Sequence, residues 1–314
     1  MAKSRPMTLE EFEVLFESLK NWGRWGSDDE IGTVNYITPE KMCRAAALVT
    51  KGRSVSLAIP INTVAGPDNP VPAMHYMNTT HDLDLGVGYD LRFATDFLGM
   101  QFHGDCHTHI DALCHVAYKE QLYNGRPAKT VTSRGALGLD ITAYAHGVVS
   151  KGVLIDIPRL RGIKWLEPGE AITREEIEAA EKAQGVQLGE GDMMVFRTGH
   201  HRRRLELGAW DVNYSGEGRA GLDPYALTLL HERKVAVFLP DGDGETVPGP
   251  MKEILYPIHP LQVTAMGMYV ADSFQFEELV HVCEQENRWE FMVVLAPLRL
   301  PRGTGSPINP IAIF

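Results

Sequence analysis

The chain has 314 residues, a formal net charge of −11 and twelve histidines, with 44% apolar and 23% charged residues. This composition excludes a disordered chain, a coiled coil and a collagen-like fibre, and the length is sufficient for a sizeable core. The acidic balance argues against nucleic acid as a partner, because phosphate binding requires clustered lysine and arginine. Four cysteines are too few for a disulfide framework. With neither a membrane span nor a secretion signal in the sequence, we expect a cytoplasmic protein with one domain over residues 1–314.

Helix and strand patterns follow one another in the first hundred residues. A capping box at residues 8–11 precedes apolar residues at helical spacing, which predicts a helix over about 9–20. Thr38 and Pro39 form an N-cap followed by a proline, which predicts a helix to about Val49. Alternating apolar residues over 55–59 predict a strand. The segment 61–100 is rich in glycine, proline, asparagine and aspartate, so we expect an irregular lid or arm there.

The rest of the chain interleaves apolar runs with helix signals. The runs, which predict buried strands, lie at residues 148–157, 193–196, 235–239 and 292–295. A second capping box at residues 173–176, an N-cap with proline at 223–224 and the segment 275–286 predict helices between or beside them. Interleaved strands and helices indicate an α/β or α+β domain.

The chemistry is concentrated between residues 103 and 115, where four of the twelve histidines lie with two aspartates and two cysteines. On a strand, residues two apart share a face. A strand here would therefore project these side chains to one side: Asp105, His107, His109 and Asp111. Imidazole and carboxylate groups that converge suit a divalent ion such as Zn²⁺ or Mn²⁺. The pattern predicts a metal site, and the alternative is a polar strand edge of hydrogen-bonded histidines.

Other kinds of site fit the sequence less well. No nucleophile elbow or phosphate-binding loop is present. Cys106 and Cys114 are separated by seven residues, and we expect two buried thiols rather than a zinc or redox pair. Residues 241–245 are predicted to form a turn after a strand, and the basic run 200–204 is predicted to be a surface turn or an oligomer contact.

Residues 108–115 resemble the core of the motif H-x-G-T-H-x-D-x-P-x-H of the metal-dependent cyclase or kynurenine formamidase-like hydrolases, a family that includes isatin hydrolases. The first histidine of the motif falls at Asp105 and its glycine falls at His107. The resemblance implies an α/β (α+β) chain with a β/β/α swivelling, cyclase-like fold, a central mixed, partly barrel-like sheet and an N-terminal arm of roughly residues 1–50. Ordered blocks that resemble the family also occur at residues 21–39, 122–125, 152–156, 197–199 and 303–310.

The resemblance also implies residues of the site. His259 aligns with a later metal-ligating histidine of the family, and Asp272 aligns with its glutamate, so both join the candidate ligands of one or two ions. Asp111 could bridge a pair of ions. His115 is implied to work beside the metal as a ligand or a proton shuttle, and the alternative is that it orients a ligand.

The function implied by the resemblance is a metal-dependent hydrolase that opens a cyclic amide or a lactone with a metal-activated water. An aryl formamide is a further substrate class, and the alternatives are a metal-dependent lyase or cyclase and an inactive metal-binding scaffold. We expect Trp25, Phe102 and His103 to contact a cyclic or aromatic substrate. Family members form dimers or tetramers, so a homodimer or homotetramer is expected, with segment 61–100 or the N-terminal helix against a neighbour.

Overall fold

A mixed sheet organises the computed structural model of the chain, which describes residues 5–82 and 91–314. The strands are β1 Ser54–Ser56, β2 Met74–Thr79, β3 Thr95–Gly99, β4 His109–Asp111, β5 Val131–Thr132, β6 Gly135–Ala136, β7 Val148–Asp156, β8 Ala171–Ile172, β9 Met193–Arg197, β10 Gly221–Leu222, β11 Val237–Pro240, β12 Tyr269–Asp272, β13 Glu290–Leu295, β14 Gly305–Pro307 and β15 Ile311–Ile313. Within the described residues, nine of them form one sheet in the order β1-β15-β13-β7-β9-β11-β12-β4-β14.

The helices lie between these strands and at the N-terminus. The α-helices are α1 Leu9–Leu19, α2 Pro39–Ala46, α3 Ile157–Arg161, α4 Arg174–Gln184, α5 His200–Leu207, α6 Leu227–Glu232 and α7 Glu277–Glu286, and a π-helix spans Pro260–Met266. Short 3₁₀ helices span Gly32–Tyr36, Tyr123–Gly125, Ala128–Thr130, Ile141–Tyr144 and Pro224–Ala226. No helix in residues 5–82 and 91–314 is both long and apolar enough to cross a membrane.

The central strands β7, β9, β11 and β12 run parallel, and the remaining pairs of the large sheet are antiparallel. The sheet curls into a half-barrel, which confirms the predicted α+β class and the mixed, partly barrel-like sheet. Side chains alternate along each strand, and this divides the core in two. Val153 and Ile155 belong to one apolar cluster, whereas Leu154 belongs to the other. The site residues described below lie at one end of this sheet.

Most predicted helices are confirmed with small shifts of their ends. Thr8 accepts from the Glu11 backbone N–H at 3.1 Å and its own N–H donates to Glu11 at 2.8 Å, so the capping box of α1 is formed. The helix predicted over residues 39–49 ends at Ala46. The basic run 200–204 was predicted to be a surface turn or an oligomer contact. The turn is wrong, because the run opens α5 with its second histidine buried, and the oligomer contact stays a prediction.

The segment 61–100 was predicted to be irregular, and this is wrong for residues 74–79 and 95–99, which form strands. Its described part contains an antiparallel hairpin of β2 and β3, with Tyr76 stacked on Phe97 at 5.0 Å between ring centroids. Residues 83–90 of this segment, like residues 1–4 of the predicted N-terminal arm, lie outside the described residues. The N-terminal helix α1 packs its apolar face into one of the two core clusters.

The strand predicted through residues 103–115 is much shorter in the structure. Only His109–Asp111 form β4, and the residues before it approach the sheet as a loop. The alternation argument therefore holds for His109 and Asp111 but not for Asp105 and His107, whose side chains are placed by loop geometry.

Candidate functional site

Strands β4 and β12 lie side by side and place three acidic or imidazole side chains at one end of the sheet. They are antiparallel, with His109 directly opposite Asp272. Ile110 points into the core and is fully buried, so His109 and Asp111 on either side of it face the opposite way. On the other edge of β4, Asp111 lies opposite Gly305 of β14. The register of these three short strands therefore assembles the centre of the site.

One candidate ligand group consists of His103, His109 and Asp111, whose potential ligand atoms lie within 4.8 Å of one another. His103 Nδ1 is 2.8 Å from Asp111 Oδ1, and His109 Nε2 is 3.4 Å from the same oxygen. The other ring nitrogen of His109, Nδ1, is 2.8 Å from the His107 carbonyl oxygen, which orients the ring so that Nε2 faces the carboxylate. The group combines two imidazoles and a carboxylate, which is a donor set typical of transition-metal sites.

A second group shares Asp111 and adds His259 and Asp272, again within 4.8 Å of one another. His259 precedes the π-helix, and both its backbone N–H and its Nδ1–H donate to Glu245 at 2.8 Å. Glu245 is fully buried. It therefore orients the imidazole and leaves Nε2 for the site, an arrangement common behind metal-bound histidines.

Three buried atoms at the centre of the site lack a hydrogen-bond partner in the part of the chain that the structure describes: Asp111 Oδ1, Asp272 Oδ1 and His103 Nδ1. Although His103 Nδ1 and Asp111 Oδ1 are 2.8 Å apart, their orientation does not make a satisfactory hydrogen bond. Buried polar atoms without partners are costly, and one or two bound cations would satisfy them, since the two ligand groups share Asp111. The residues present therefore fit a divalent metal ion.

The pKa values at the site reflect burial and close charges. Burial, together with the charge of Asp111, raises the pKa of Asp272 well above its usual range. Burial alone would raise the pKa of Asp111, but His103, His109 and His115 hold it well below the usual range. Burial opposes a charge on His259, yet Glu245 raises the pKa of that imidazole to about 9. Burial and the neighbouring carboxylate thus oppose the ionisation of Asp272 beside Asp111.

His115 borders both the ligand groups and a cavity of about 510 Å³. Its Nε2 is 3.8 Å from Asp111 Oδ2, and its ring stacks on His103 at 4.0 Å with 4° between the planes. Burial lowers the pKa of His115 to about 4, so the imidazole is neutral at physiological pH. The remaining wall of the cavity combines apolar side chains with a few polar groups: Val116, Ala117, Tyr118, Asn213, Arg219, Asp243, Ile254, Leu255, Tyr256, His259 and Pro260.

The structure does not bring every predicted site residue to this centre. Asp105 pairs with Arg219 and is in neither ligand group among the described residues. His107 lines a separate cavity of about 470 Å³. Trp25 packs against Tyr36 with 5.0 Å between ring centroids and does not line the site cavity.

Two further predictions concern the loop and its cysteines. Phe102 lies beside the site, with its ring 4.6 Å from that of His103 and 6.3 Å from that of His109. Cys106 and Cys114 are free buried thiols, as predicted.

Sequence reasoning missed the charged residues behind the ligands. Arg219 is 3% exposed and contacts both Asp105 and Asp243. Asp243 and Glu245 both belong to the acidic run 241–245, which directly follows β11, the position after a strand that was predicted for it. The acidic run could have predicted these residues, because acidic residues directly after a buried strand lie at the end of a sheet, where ligands bind.

A family model described as "Putative cyclase" matches residues 55–243. A protein whose crystal structure is described as that of a novel cyclase has 34% sequence identity to this chain and a TM-score of 0.83. The match covers 94% of this chain and 100% of that one. An isatin hydrolase bound to the product analogue thioisatinate is 20% identical, with 85% and 93% covered and a TM-score of 0.59. Isatin hydrolase A from Labrenzia aggregata, bound to benzyl benzoate, is 21% identical, with 85% and 94% covered and a TM-score of 0.60. No curated protein matches the chain significantly.

Proposed function

Because the chain belongs to the cyclase family, we propose that it is a metal-dependent hydrolase that opens a cyclic amide or a lactone. The observation that carries the proposal is the pair of ligand groups that share Asp111, with buried ligand atoms that lack partners. His109, Asp111, His259 and Asp272 would hold one or two ions, Zn²⁺ or Mn²⁺ by the chemistry of the donors. A divalent ion there supplies polarisation of the substrate carbonyl and lowers the pKa of water, for zinc from ~15.7 towards ~7.

The side chains around the ligands supply the remaining functions. His115 lies at the boundary between the ligand groups and the cavity, and a neutral imidazole at that position can accept a proton from the attacking water and return it to the leaving atom. Glu245 keeps the ring of His259 in one orientation. Apolar residues on the cavity wall exclude water from one side of the substrate.

The cavity favours a small neutral substrate. Its volume of about 510 Å³ suits a ring system of modest size. The positive charge of Arg219 is already paired with Asp105 and Asp243, so a substrate carboxylate would meet no unpaired arginine or lysine among the described residues of the cavity wall. The isatin hydrolases share the fold, and isatin is a neutral cyclic amide, which supports this substrate class.

The test combines metal analysis with a substrate panel. The purified chain is assayed for bound metals by mass spectrometry, then screened against lactones, cyclic amides and aryl formamides while acid release is followed with an indicator. We expect stoichiometric metal, acid release with a ring substrate, loss of activity on chelation and its return with Zn²⁺ or Mn²⁺. Full activity in a metal-free preparation would contradict the proposal, and metal without acid release would favour a lyase or a scaffold.

We also propose that the chain self-associates through the segment 61–98. Ten of the 21 exposed large apolar side chains of the described residues lie there, and the β2–β3 hairpin pairs with no other strand described. A lone two-stranded hairpin is only marginally stable in water. Covering ten such side chains, each with roughly 100 Å² accessible, removes about 1,000 Å² per protomer, which matches a standard protein interface. A second copy of the chain would bury this surface reciprocally.

A further inference from the structure

The loop before β4 holds Asp105 away from the ligand groups. Arg219 Nη1 donates to Asp105 Oδ1 at 2.5 Å, and Asn213 Nδ2 donates to Asp105 Oδ2 at 3.2 Å. Both carboxylate oxygens are therefore engaged, and the Arg219 guanidinium is itself anchored by Asp243. Moving Asp105 onto a metal ion would break a nearly buried ion pair, which is strongly unfavourable.

His103, unlike Asp105, lies next to the carboxylate of Asp111. Its Nδ1 is 2.8 Å from Asp111 Oδ1, and its Nε2 is 2.9 Å from the Thr304 hydroxyl oxygen. With Nε2–H donating to Thr304, the lone pair on Nδ1 faces the carboxylate, which is the arrangement of a metal-ligating imidazole with a polar partner behind it.

The backbone is shaped to admit this ring. A Cβ at Gly305 would lie 2.9 Å from His103 Cε1, so any other residue on that position of β14 would displace the imidazole. The flat face of the ring rests against His115, 4.0 Å away. Three separate elements, the loop after β13, strand β14 and the turn after β4, therefore fix the position of His103.

We propose that His103 is a metal ligand of this chain and replaces residue 105 in that role, while Arg219 keeps Asp105 outside the coordination sphere. This assignment rests on the proposed function, since it names a ligand of the same metal site. The ligands of the first group would then be His103 through Nδ1, His109 through Nε2 and Asp111 through a carboxylate oxygen.

The test measures metal affinity in full-length variants, with Co²⁺ as a spectroscopic probe and Zn²⁺ in competition with a chelating indicator. His103→Ala is expected to weaken Zn²⁺ binding more than about 100-fold, beyond the 10–100-fold typical of losing an outer partner, and to change the Co²⁺ absorption. Added imidazole should restore that absorption, which a merely structural histidine would not show. Thr304→Val, which keeps the ring but removes its partner, should weaken binding by about 10–100-fold.

The matched control is His107→Ala, another histidine of the same loop, with Asp105→Asn beside it. Both should bind Zn²⁺ within about threefold of the unchanged chain, since neither residue donates to the ligand groups. If His103→Ala bound metal normally, or if Asp105→Asn lost it instead, the assignment of His103 would be overturned and the metal site itself would stand. If the unchanged chain bound no metal, the assignment and the proposed function would fall together. Should His103→Ala fail to fold, as judged by circular dichroism, normal binding by Thr304→Val would decide against the assignment.

Discussion

The substitution Glu245→Gln tests whether the buried carboxylate of Glu245 positions His259 and stabilises the fold. The carboxylate is fully buried and accepts three hydrogen bonds, from the backbone N–H of Ile258 at 3.2 Å and of His259 at 2.8 Å and from His259 Nδ1 at 2.8 Å. A glutamine oxygen can accept the two from His259, but its NH₂ group then faces the Ile258 N–H, and two donors meet.

The magnitude follows from these contacts. Hydrogen bonds to a charged acceptor contribute about 1.5–3 kcal/mol and neutral ones about 0.5–1.5, so two bonds weaken by roughly 1 kcal/mol each. The unsatisfied Ile258 N–H adds about 1–3 kcal/mol. We therefore expect the free energy of unfolding to fall by about 3–5 kcal/mol. Metal affinity should fall by about 10–100-fold, because the partner that orients His259 loses its charge and holds the ring less firmly.

Urea unfolding followed by circular dichroism measures the first effect, and titration with Zn²⁺ against a chelating indicator measures the second. Glu253→Gln is the matched control, because this glutamate is exposed in the same segment and its replacement should change the unfolding free energy by less than about 0.5 kcal/mol. If Glu245→Gln matched the control in both measurements, Glu245 would have no role in positioning His259.

Three further predictions concern catalysis, acid sensitivity and assembly. His115→Gln should lower kcat on any ring substrate by about 10²–10⁴-fold while the metal content stays unchanged, and an unaltered kcat would exclude a proton-transfer role. Burial lowers the pKa of His201 to about 4, so the native state keeps it neutral while the unfolded chain protonates it below about 6.5. The unchanged chain therefore loses unfolding free energy through this group as the pH falls from about 6.5 to 4. His201→Asn lacks the group, so its unfolding free energy, measured with urea, should rise by about 3 kcal/mol relative to that of the unchanged chain over the same pH range. Replacing Tyr76 and Phe97 together with serine should shift the mass measured by light scattering towards the monomer, and a monomeric unchanged chain would contradict the interface.

The fold followed from the sequence wherever a local pattern determines a local structure. The capping box at Thr8 and the alternating apolar residues of the central strands each specify an element through neighbours within a few residues. The hairpin β2–β3 was missed because its side chains are exposed on both faces, so no alternation between buried and exposed positions marks it.

Within the site, His109 and Asp111 could be predicted because they share a strand, and the period of two holds there. Asp105 and His107 could not be placed, because the strand does not extend to them and a loop has no fixed period. Asp105 and Arg219 are 114 residues apart in the sequence, and no local sequence pattern predicts an ion pair between residues so far apart. The family resemblance supplied His259 and Asp272, which reach Asp111 from the start of the π-helix and from the neighbouring strand β12.

Asp111 and Asp272 explain why this end of the sheet suits a cation better than a pair of carboxylic acids. Their ligand atoms lie within 4.8 Å of one another, and both residues are almost fully buried. Two carboxylates at such a distance cannot both ionise without a compensating charge, and a shared proton could compensate only one of them. A proton shared by the two carboxylates could not also be donated to the imidazole lone pairs of His103 and His109. A divalent ion accepts electron pairs from His103, His109 and Asp111 at once, so the imidazoles beside the acidic pair distinguish a metal centre from an acid–base dyad.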